Sequence, residues 1–326
     1  MWKPIRAALN TLIADVTGEP VALRGLLSKG LHRKGNLPEP ERSAAEGRVV
    51  KWHEWASHTV LDWPRLPVAT LRGWAPRRDG YVSQSVRVPE LAALGGSVVV
   101  DEYTLDLRNI EGFSSSKSDL HEYTNIEDFA QRRCPDWISD VSHESLRKLL
   151  AHDEIRVLHS QHHTDHFSQY GWDGRVFLSN AGGSHHTAAA QYVANRLQAD
   201  VPMSAPLRMY LLNAAAVNAL AARYEVFAVP DDALFQVPFH DALKAAGAAY
   251  LWHRMPAPYE DQRAVFLPRE HARSLAAATE LRAAGAPDIN SHLSMLVERQ
   301  QAMLEKGVLR AVAIQERLSR EDGPEL

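Results

Sequence analysis

The chain has 326 residues and a net charge of −4, with 45% hydrophobic and 23% charged residues, as is usual for a globular protein. This length is enough for one large domain or two modest ones. The net charge excludes a global attraction to nucleic acid, so a polyanionic partner would need a local basic patch. With Cys134 as the single cysteine, an internal disulfide and a cysteine-based zinc cluster are excluded.

The hydropathy pattern gives no indication of a membrane or a secretory segment. No window approaches the roughly 18 consecutive apolar residues that a spanning helix needs. The first residues lack the apolar stretch and the small-residue cleavage site of a signal peptide. We therefore expect a cytoplasmic protein without a membrane partner.

The N-terminal third begins with helical spacing over residues 5–15. Residues 21–52 then carry seven basic and three acidic side chains among several glycines and prolines, which predicts an irregular basic arm. The arm is either a solvated loop or a contact surface for nucleic acid or a protein partner. Residues 81–88 and 97–107 have the alternation of β-strands.

The rest of the chain alternates between strand and helix patterns. Residues 112–124 are serine-rich and polar, which indicates a loop. Helices are predicted at 125–134, 142–152, from Ser184, at 206–222 and at 291–320; strands are predicted at 155–158, 175–180, 224–229, 249–254 and 264–267. This order predicts an α/β (α+β) fold with a mixed sheet and packed helices. We expect an N-terminal region of 1–95 and an α/β core of 96–326.

Histidines are concentrated in one part of the sequence. Six of the sixteen lie within 28 residues, namely His159, His162, His163, His166, His185 and His186. Such density is typical of metal binding, proton transfer or anion binding, although imidazoles that cap turns in a polar loop would give the same pattern. The turn at 171–174 should make 155–158 and 175–180 neighbouring strands, and residues 159–170, running back along the sheet, would bring His159 and His163 into one pocket with His185 and His186.

The first part of this cluster has the spacing of a metal site. The segment Gln161-His162-His163-Thr164-Asp165-His166 resembles the H-x-H-x-D-H motif of metallo-β-lactamase-fold hydrolases. That resemblance implies zinc ligands at His163, Asp165 and His166, and a metal-dependent hydrolase. Gln161 stands at the first ligand position, where it departs from the family pattern.

The second part of the cluster follows a predicted strand. Residues 176–180 lead into Gly182-Gly183, and a helix follows with Ser184 as the expected N-cap. The free N–H groups of a helix start favour an anion, and glycines allow its close approach. We therefore predict a phosphate site formed by Gly182, Gly183, Ser184, His185, His186 and Thr187.

A family resemblance is carried by the same residues. Gly183-Ser184-His185-His186, followed by Ala188-Ala189, resembles the G-x-H-R-x-x-A motif of the ParB/sulfiredoxin superfamily. The resemblance covers about residues 154–270 and implies a ParB/sulfiredoxin-like core whose motif contacts nucleotide phosphates. His186 stands where that family has arginine, and the sulfiredoxin cysteine has no counterpart in this region.

Three functional hypotheses follow. The first is a protein that binds a phosphate ligand, such as a nucleotide with magnesium. If this protein is an enzyme, its substrate would carry a phosphate or be a nucleic acid, and His163, His185 and His186 would transfer protons. The second is the zinc-dependent hydrolase. The third is a non-catalytic regulator or inhibitor that uses the basic arm.

Cys134 follows two arginines, which would lower the pKa of a nucleophilic thiol.

Overall fold

A computed structural model describes residues 19–28, 35–57, 67–160 and 163–307. The chain divides into two compact units, each discontinuous in sequence. Unit 1 comprises residues 1–39, 51–95 and 212–298, and unit 2 comprises residues 40–50, 96–211 and 299–326.

The described residues form ten strands and ten α-helices, with short 3-10 helices between them. The strands are β1 (Thr70–Arg77), β2 (Gly80–Arg87), β3 (Gly95–Asp106), β4 (Gly112–Phe113), β5 (His166–Tyr170), β6 (Val176–Ser179), β7 (Pro202–Leu212), β8 (Tyr224–Pro230), β9 (Tyr250–Arg254) and β10 (Gln262–Pro268). The helices are α1 (Val21–Leu27), α2 (Pro89–Ala92), α3 (Ile126–Arg133), α4 (His143–Leu150), α5 (Arg156–His159), α6 (Ser184–Leu197), α7 (Ala214–Arg223), α8 (Ala233–Ala245), α9 (Ala272–Ala283) and α10 (Ile289–Glu305).

Unit 1 contains a five-stranded antiparallel sheet in the order β2-β1-β9-β10-β8. Helices α1, α8 and α9 pack on this sheet through a common apolar core. Leu23, Phe239 and Leu281 from the three helices meet Phe227 and Val265 of the strands in this core. Burial of these side chains is the main stabilising contribution to the unit.

Unit 2 contains a mixed sheet in the order β3-β7-β5-β6-β4. Strand β6 pairs antiparallel with β5 and parallel with β4, while β5 pairs parallel with β7. Helices α3, α4 and α6 contribute to the core beside this sheet. The predicted α/β (α+β) architecture, a mixed sheet with packed helices, is thereby confirmed. Among the described helices, none is long and apolar enough to cross a bilayer.

One predicted strand is wrong. Residues 156–159 form the short helix α5 instead of a strand. A four-residue apolar run has no decisive period, and Val157 and Leu158 obtain their burial by packing on the core without a strand partner. The antiparallel partner of β6 is instead β5, whose sequence His-Phe-Ser-Gln-Tyr is too polar to suggest a buried strand.

The predicted helix at 206–222 is wrong in its first half. Strand β7 occupies residues 202–212, and α7 begins only after Asn213, whose side chain accepts hydrogen bonds from the N–H groups of Ala215 and Ala216. Within β7 every second side chain is buried, from Met203 to Met209. Pairing in the sheet overrides the helix propensity of the alanine, leucine and methionine residues in this segment.

The predicted basic arm is not a uniform irregular segment. Residues 21–27 form α1, where Arg24 pairs with Glu280 at 2.6 Å, and residues 46–48 form a 3-10 helix in which Glu46 is buried. The predicted helix at 5–15, residues 29–34 of the arm and the part of the C-terminal helix beyond residue 307 lie outside the described residues. Binding of a partner through this segment stays a prediction.

The predicted division at residue 95 coincides with one boundary between the units, but the region 96–326 is not a single core. Residues 212–298 belong to unit 1 because β9 pairs with β1. Strand pairing between distant segments has no signal in a single sequence, so the discontinuity could not be predicted.

Candidate functional site

The site is built on the junction between β6 and α6 in unit 2. Gly183 is the N-cap of α6 and has a φ of 75°, a conformation that glycine adopts readily. A Cβ at this position would lie 2.6 Å from the carbonyl oxygen of Glu154. Asn180 stabilises the turn by donating from Nδ2 to the carbonyl oxygen of Gly182 at 2.6 Å. Both the backbone conformation and the close approach of Glu154 therefore require glycine at 183.

The start of α6 presents backbone donors. The first intrahelical hydrogen bond is donated by the N–H of Thr187 to the carbonyl oxygen of Gly183, so the N–H groups of the three preceding residues lie before the hydrogen-bonded ladder. The prediction that Ser184 is the N-cap is wrong. Ser184 is the first residue of the helix, and its Oγ donates to Ser116 Oγ at 2.9 Å because the N-cap position is occupied by Gly183.

A cavity of about 480 Å³ lies in front of this helix start. It is lined by Ser115–Ser118, Arg133, Trp137, Glu154 and Ala181–His186. Five of the six predicted phosphate-binding residues therefore line it. Thr187 does not, because its side chain is buried and its Oγ1 donates to the carbonyl oxygen of Gly183 at 2.9 Å.

The cavity is lined by charged side chains and by two titratable imidazoles. Lys117 and Arg133 contribute positive charge, and Glu154 contributes a carboxylate. Burial, followed by the charges of Arg133 and Lys117, lowers the pKa of His185. Burial, followed by His152, lowers the pKa of His186. Both imidazoles are therefore neutral at pH 7, and the positive charge in the cavity comes from Lys117 and Arg133.

His186 belongs to a stack of three rings. Its ring centroid lies 3.5 Å from that of His152 and 4.3 Å from that of Trp137, with interplanar angles of 17° and 27°. Trp137 is 41% exposed, so one part of this stack is open to solvent. Sequence reasoning missed both partners, because His152 lies outside the dense histidine segment and Trp137 is separated from it along the chain.

His185 is held by a different set of contacts. Its Nε2 lies 3.0 Å from Ser118 Oγ, and its ring packs against Phe129 at 4.9 Å. The thiol of Cys134 donates to the backbone carbonyl of His185 at 3.6 Å. Burial raises the pKa of Cys134 to about 11, so the expected activation of this thiol by the neighbouring arginines is wrong. The buried thiol of Cys134 therefore supports the backbone of His185 through this hydrogen bond.

The prediction of a single histidine pocket is only partly matched. His185 and His186 line the cavity, whereas His159 and His163 do not. The Nε2 atom of His159 interacts with the carbonyl oxygen of Leu150 at 2.6 Å. His163 lies just before β5, and the Cα partner of the first residue of β5 is Ser179 at the end of β6. The segment before β5 is thus at the same sheet edge as the site, but His163 as a catalytic residue stays a prediction.

The predicted zinc ligands are not assembled for a metal. Within the described residues, no group of three or more histidine, cysteine, aspartate or glutamate side chains is placed to hold one. Asp165 is buried, and its Oδ1 accepts from the N–H of Ala181 at 3.1 Å. The Nδ1 atom of His166 interacts with the carbonyl oxygen of Thr164 at 2.9 Å. Gln161 and His162 lie outside the described residues.

These contacts give Asp165 a structural role that can be tested. We expect Asp165→Ala to lower the free energy of unfolding by about 1–3 kcal/mol, because it leaves the N–H of Ala181 without its acceptor. Asp165→Asn retains an oxygen at the same place and should cost less than half as much. Urea unfolding measures both values. Equal losses in the two variants would contradict the hydrogen-bonding role.

The comparisons with known proteins identify a family. Residues 100–306 match DUF6685, a family of unknown function, and since the match spans more than half of the chain, the chain belongs to this family. No curated protein and no solved structure matches the chain. The matched region includes every residue that lines the cavity.

Proposed function

We propose that this member of the DUF6685 family binds a phosphate-bearing small molecule, such as a nucleotide, in the cavity at the start of α6. The observation that carries the proposal is the convergence of Lys117, Arg133 and the free N–H groups of α6 on one cavity. Backbone donors at a helix start and the positive end of its dipole favour an anion. The two side-chain cations add positive charge to the same cavity.

The size and walls of the cavity support a ligand larger than free phosphate. About 480 Å³ is within the range of small-molecule sites, which is roughly 300–1,000 Å³. Trp137 presents an exposed aromatic ring at the wall, on which a planar base can stack. The resemblance to the ParB/sulfiredoxin motif, in which the same junction contacts nucleotide phosphates, supports this ligand class as well.

His186 has a different role in this proposal from the arginine of that motif. A neutral imidazole gives no fixed positive charge, and its ring is engaged between His152 and Trp137. Lys117 and Arg133 therefore supply the charge in its place. Glu154 is the carboxylate at the cavity wall, so magnesium that accompanies a nucleotide would find one protein ligand there.

Titration calorimetry tests the proposal with inorganic phosphate and a panel of nucleotides, with and without magnesium. We expect at least one nucleotide to bind with a Kd below 1 mM. Arg133→Ala should weaken binding at least about tenfold, because a hydrogen bond from a charged group contributes about 1.5–3 kcal/mol.

Arg132 provides a matched control one residue away. Its guanidinium donates to the carbonyl oxygen of Glu122 at 2.9 Å and it does not line the cavity. Arg132→Ala should leave the Kd unchanged within about twofold. The absence of any binding below millimolar concentrations, with or without magnesium, would exclude the proposed function.

A further inference from the structure

A serine hydroxyl and a histidine ring are paired inside this cavity. Ser118 Oγ lies 3.0 Å from Nε2 of His185, and both residues line the cavity wall. When His185 carries its proton on Nδ1, the hydroxyl donates to Nε2. A hydroxyl in this relation to a neutral imidazole is the arrangement of an activated nucleophile.

Neighbouring residues hold both partners in place. The N–H of Ser118 donates to Ser116 Oγ at 3.2 Å, and Ser116 Oγ in turn accepts from Ser184 Oγ in the first turn of α6. His185 is fixed by the helix backbone and by the ring of Phe129. The pair is therefore positioned by the same helix start that presents the anion donors.

The charges around His185 keep it a proton acceptor. Arg133 on α3 and Lys117 in the serine-rich loop both lower its pKa in addition to burial, while Glu154 opposes them. The imidazole is consequently neutral at pH 7, and it becomes protonated only at a pH below the usual pKa range of histidine. The imidazole of His185 is therefore in the neutral form that can accept a proton from Ser118 at neutral pH.

We propose that Ser118 is the nucleophile in the hydrolysis of a phosphate monoester bound in this cavity, with His185 as its general base. The proposal rests on the proposed function, because the ester must first be held at the helix start. It names a reaction and a residue that the sequence pattern did not indicate, since Ser118 lies 67 positions before His185.

The step balances with water as the second reactant. Ser118 Oγ forms a bond to phosphorus while its proton moves to Nε2 of His185, and the bond from phosphorus to the ester oxygen breaks. The departing alcohol takes the proton from His185. Water then attacks the phosphoserine with His185 again as base, which releases inorganic phosphate and restores the hydroxyl. The N–H groups of α6, Lys117 and Arg133 face the negative charge on the transferred group.

A chromogenic ester, p-nitrophenyl phosphate, and a panel of nucleoside monophosphates provide the test. The wild-type protein should release phosphate from at least one of them. Ser118→Ala and His185→Ala should each lower kcat at least about 100-fold. Ser118→Ala should still bind inorganic phosphate within about threefold of the wild-type Kd. Ser139→Ala, whose hydroxyl donates to the carbonyl oxygen of Asp136 outside the cavity, should keep the wild-type rate.

A second measurement uses only the wild-type protein, so it does not require a substituted variant to fold. Mass spectrometry of wild-type protein quenched during turnover should detect phosphoserine at position 118. In addition, kcat should fall on the acid side as His185 is protonated, at a pH below the ordinary histidine range.

The outcomes separate this proposal from the one on which it rests. A wild-type protein that binds phosphate or nucleotide but hydrolyses no ester overturns the nucleophile and leaves the binding function intact. Hydrolysis that is unchanged in Ser118→Ala, with no phosphoserine, also overturns it. A protein that neither binds nor hydrolyses these compounds removes both proposals.

Discussion

Gly183→Ala should lower the free energy of unfolding of unit 2 by about 2–4 kcal/mol and weaken phosphate binding at least about tenfold. Two costs combine at this position. An L-residue with a φ of 75° costs about 1–2 kcal/mol, and the added Cβ would lie 2.6 Å from the carbonyl oxygen and 2.8 Å from the carbonyl carbon of Glu154. The backbone must move to relieve this contact, which displaces the first turn of α6.

Gly182 is a matched control for this substitution. It does not have a positive φ, and a Cβ there would meet only the side chain of Glu154, at 3.8 Å. Gly182→Ala should change the unfolding free energy by less than about 0.5 kcal/mol. Urea unfolding of both variants and phosphate titration of Gly183→Ala measure these effects. Similar stability in the two variants would contradict the requirement for glycine at 183.

The strand–glycine–helix junction could be predicted because its signals are local. An apolar strand pattern from Val176, two adjacent glycines and an alanine-rich helical segment follow each other directly in the sequence. Each of these acts through the conformational preferences of its own residues. The structure adds the identity of the N-cap, which depends on the close approach of Glu154 and has no local signal.

The part of the cavity lining that comes from the serine-rich loop and from Arg133 could not be predicted in the same way. Strand β4 pairs parallel with β6, and this pairing brings the serine-rich loop after Phe113 beside the start of α6. Within the predicted loop 112–124, residues 112–113 form β4 and residues 120–122 form a 3-10 helix, while residues 114–119 are irregular as predicted. Nothing in the composition of this segment indicates which element it faces. Lys117, Ser118 and Arg133 therefore emerge as site residues only from the pairing of distant segments.

The errors at 155–158 and 206–222 have a related cause. In both segments, the spacing of apolar residues along the sequence does not distinguish a helix from a strand, because tertiary contacts determine how these side chains are buried. Alternation over β7 was obscured by residues with high helix propensity, and β5 was obscured by its buried Ser168 and Gln169. The polar side chains of β5 are buried because they are hydrogen-bonded, Ser168 to Ser179 and Gln169 to the carbonyl oxygen of Gly174.

Gly73→Ala should destabilise unit 1 by about 3 kcal/mol or more. Gly73 is the Cα partner of Leu251 in the pairing between β1 and β9. A Cβ on Gly73 would lie 1.9 Å from the carbonyl oxygen of Tyr250 and 2.6 Å from the Cα of Leu251. Neither is the end of a flexible side chain, so the strands must separate and lose hydrogen bonds.

Gly25→Ala provides the control within the same unit. Gly25 is an exposed residue of α1 with no atom within 4 Å of its added Cβ, so alanine should be neutral or stabilise the helix by up to about 1 kcal/mol. Thermal and urea unfolding distinguish the two variants by the sign of their effects. A loss below about 1 kcal/mol in Gly73→Ala would mean that β1 and β9 are not in close contact.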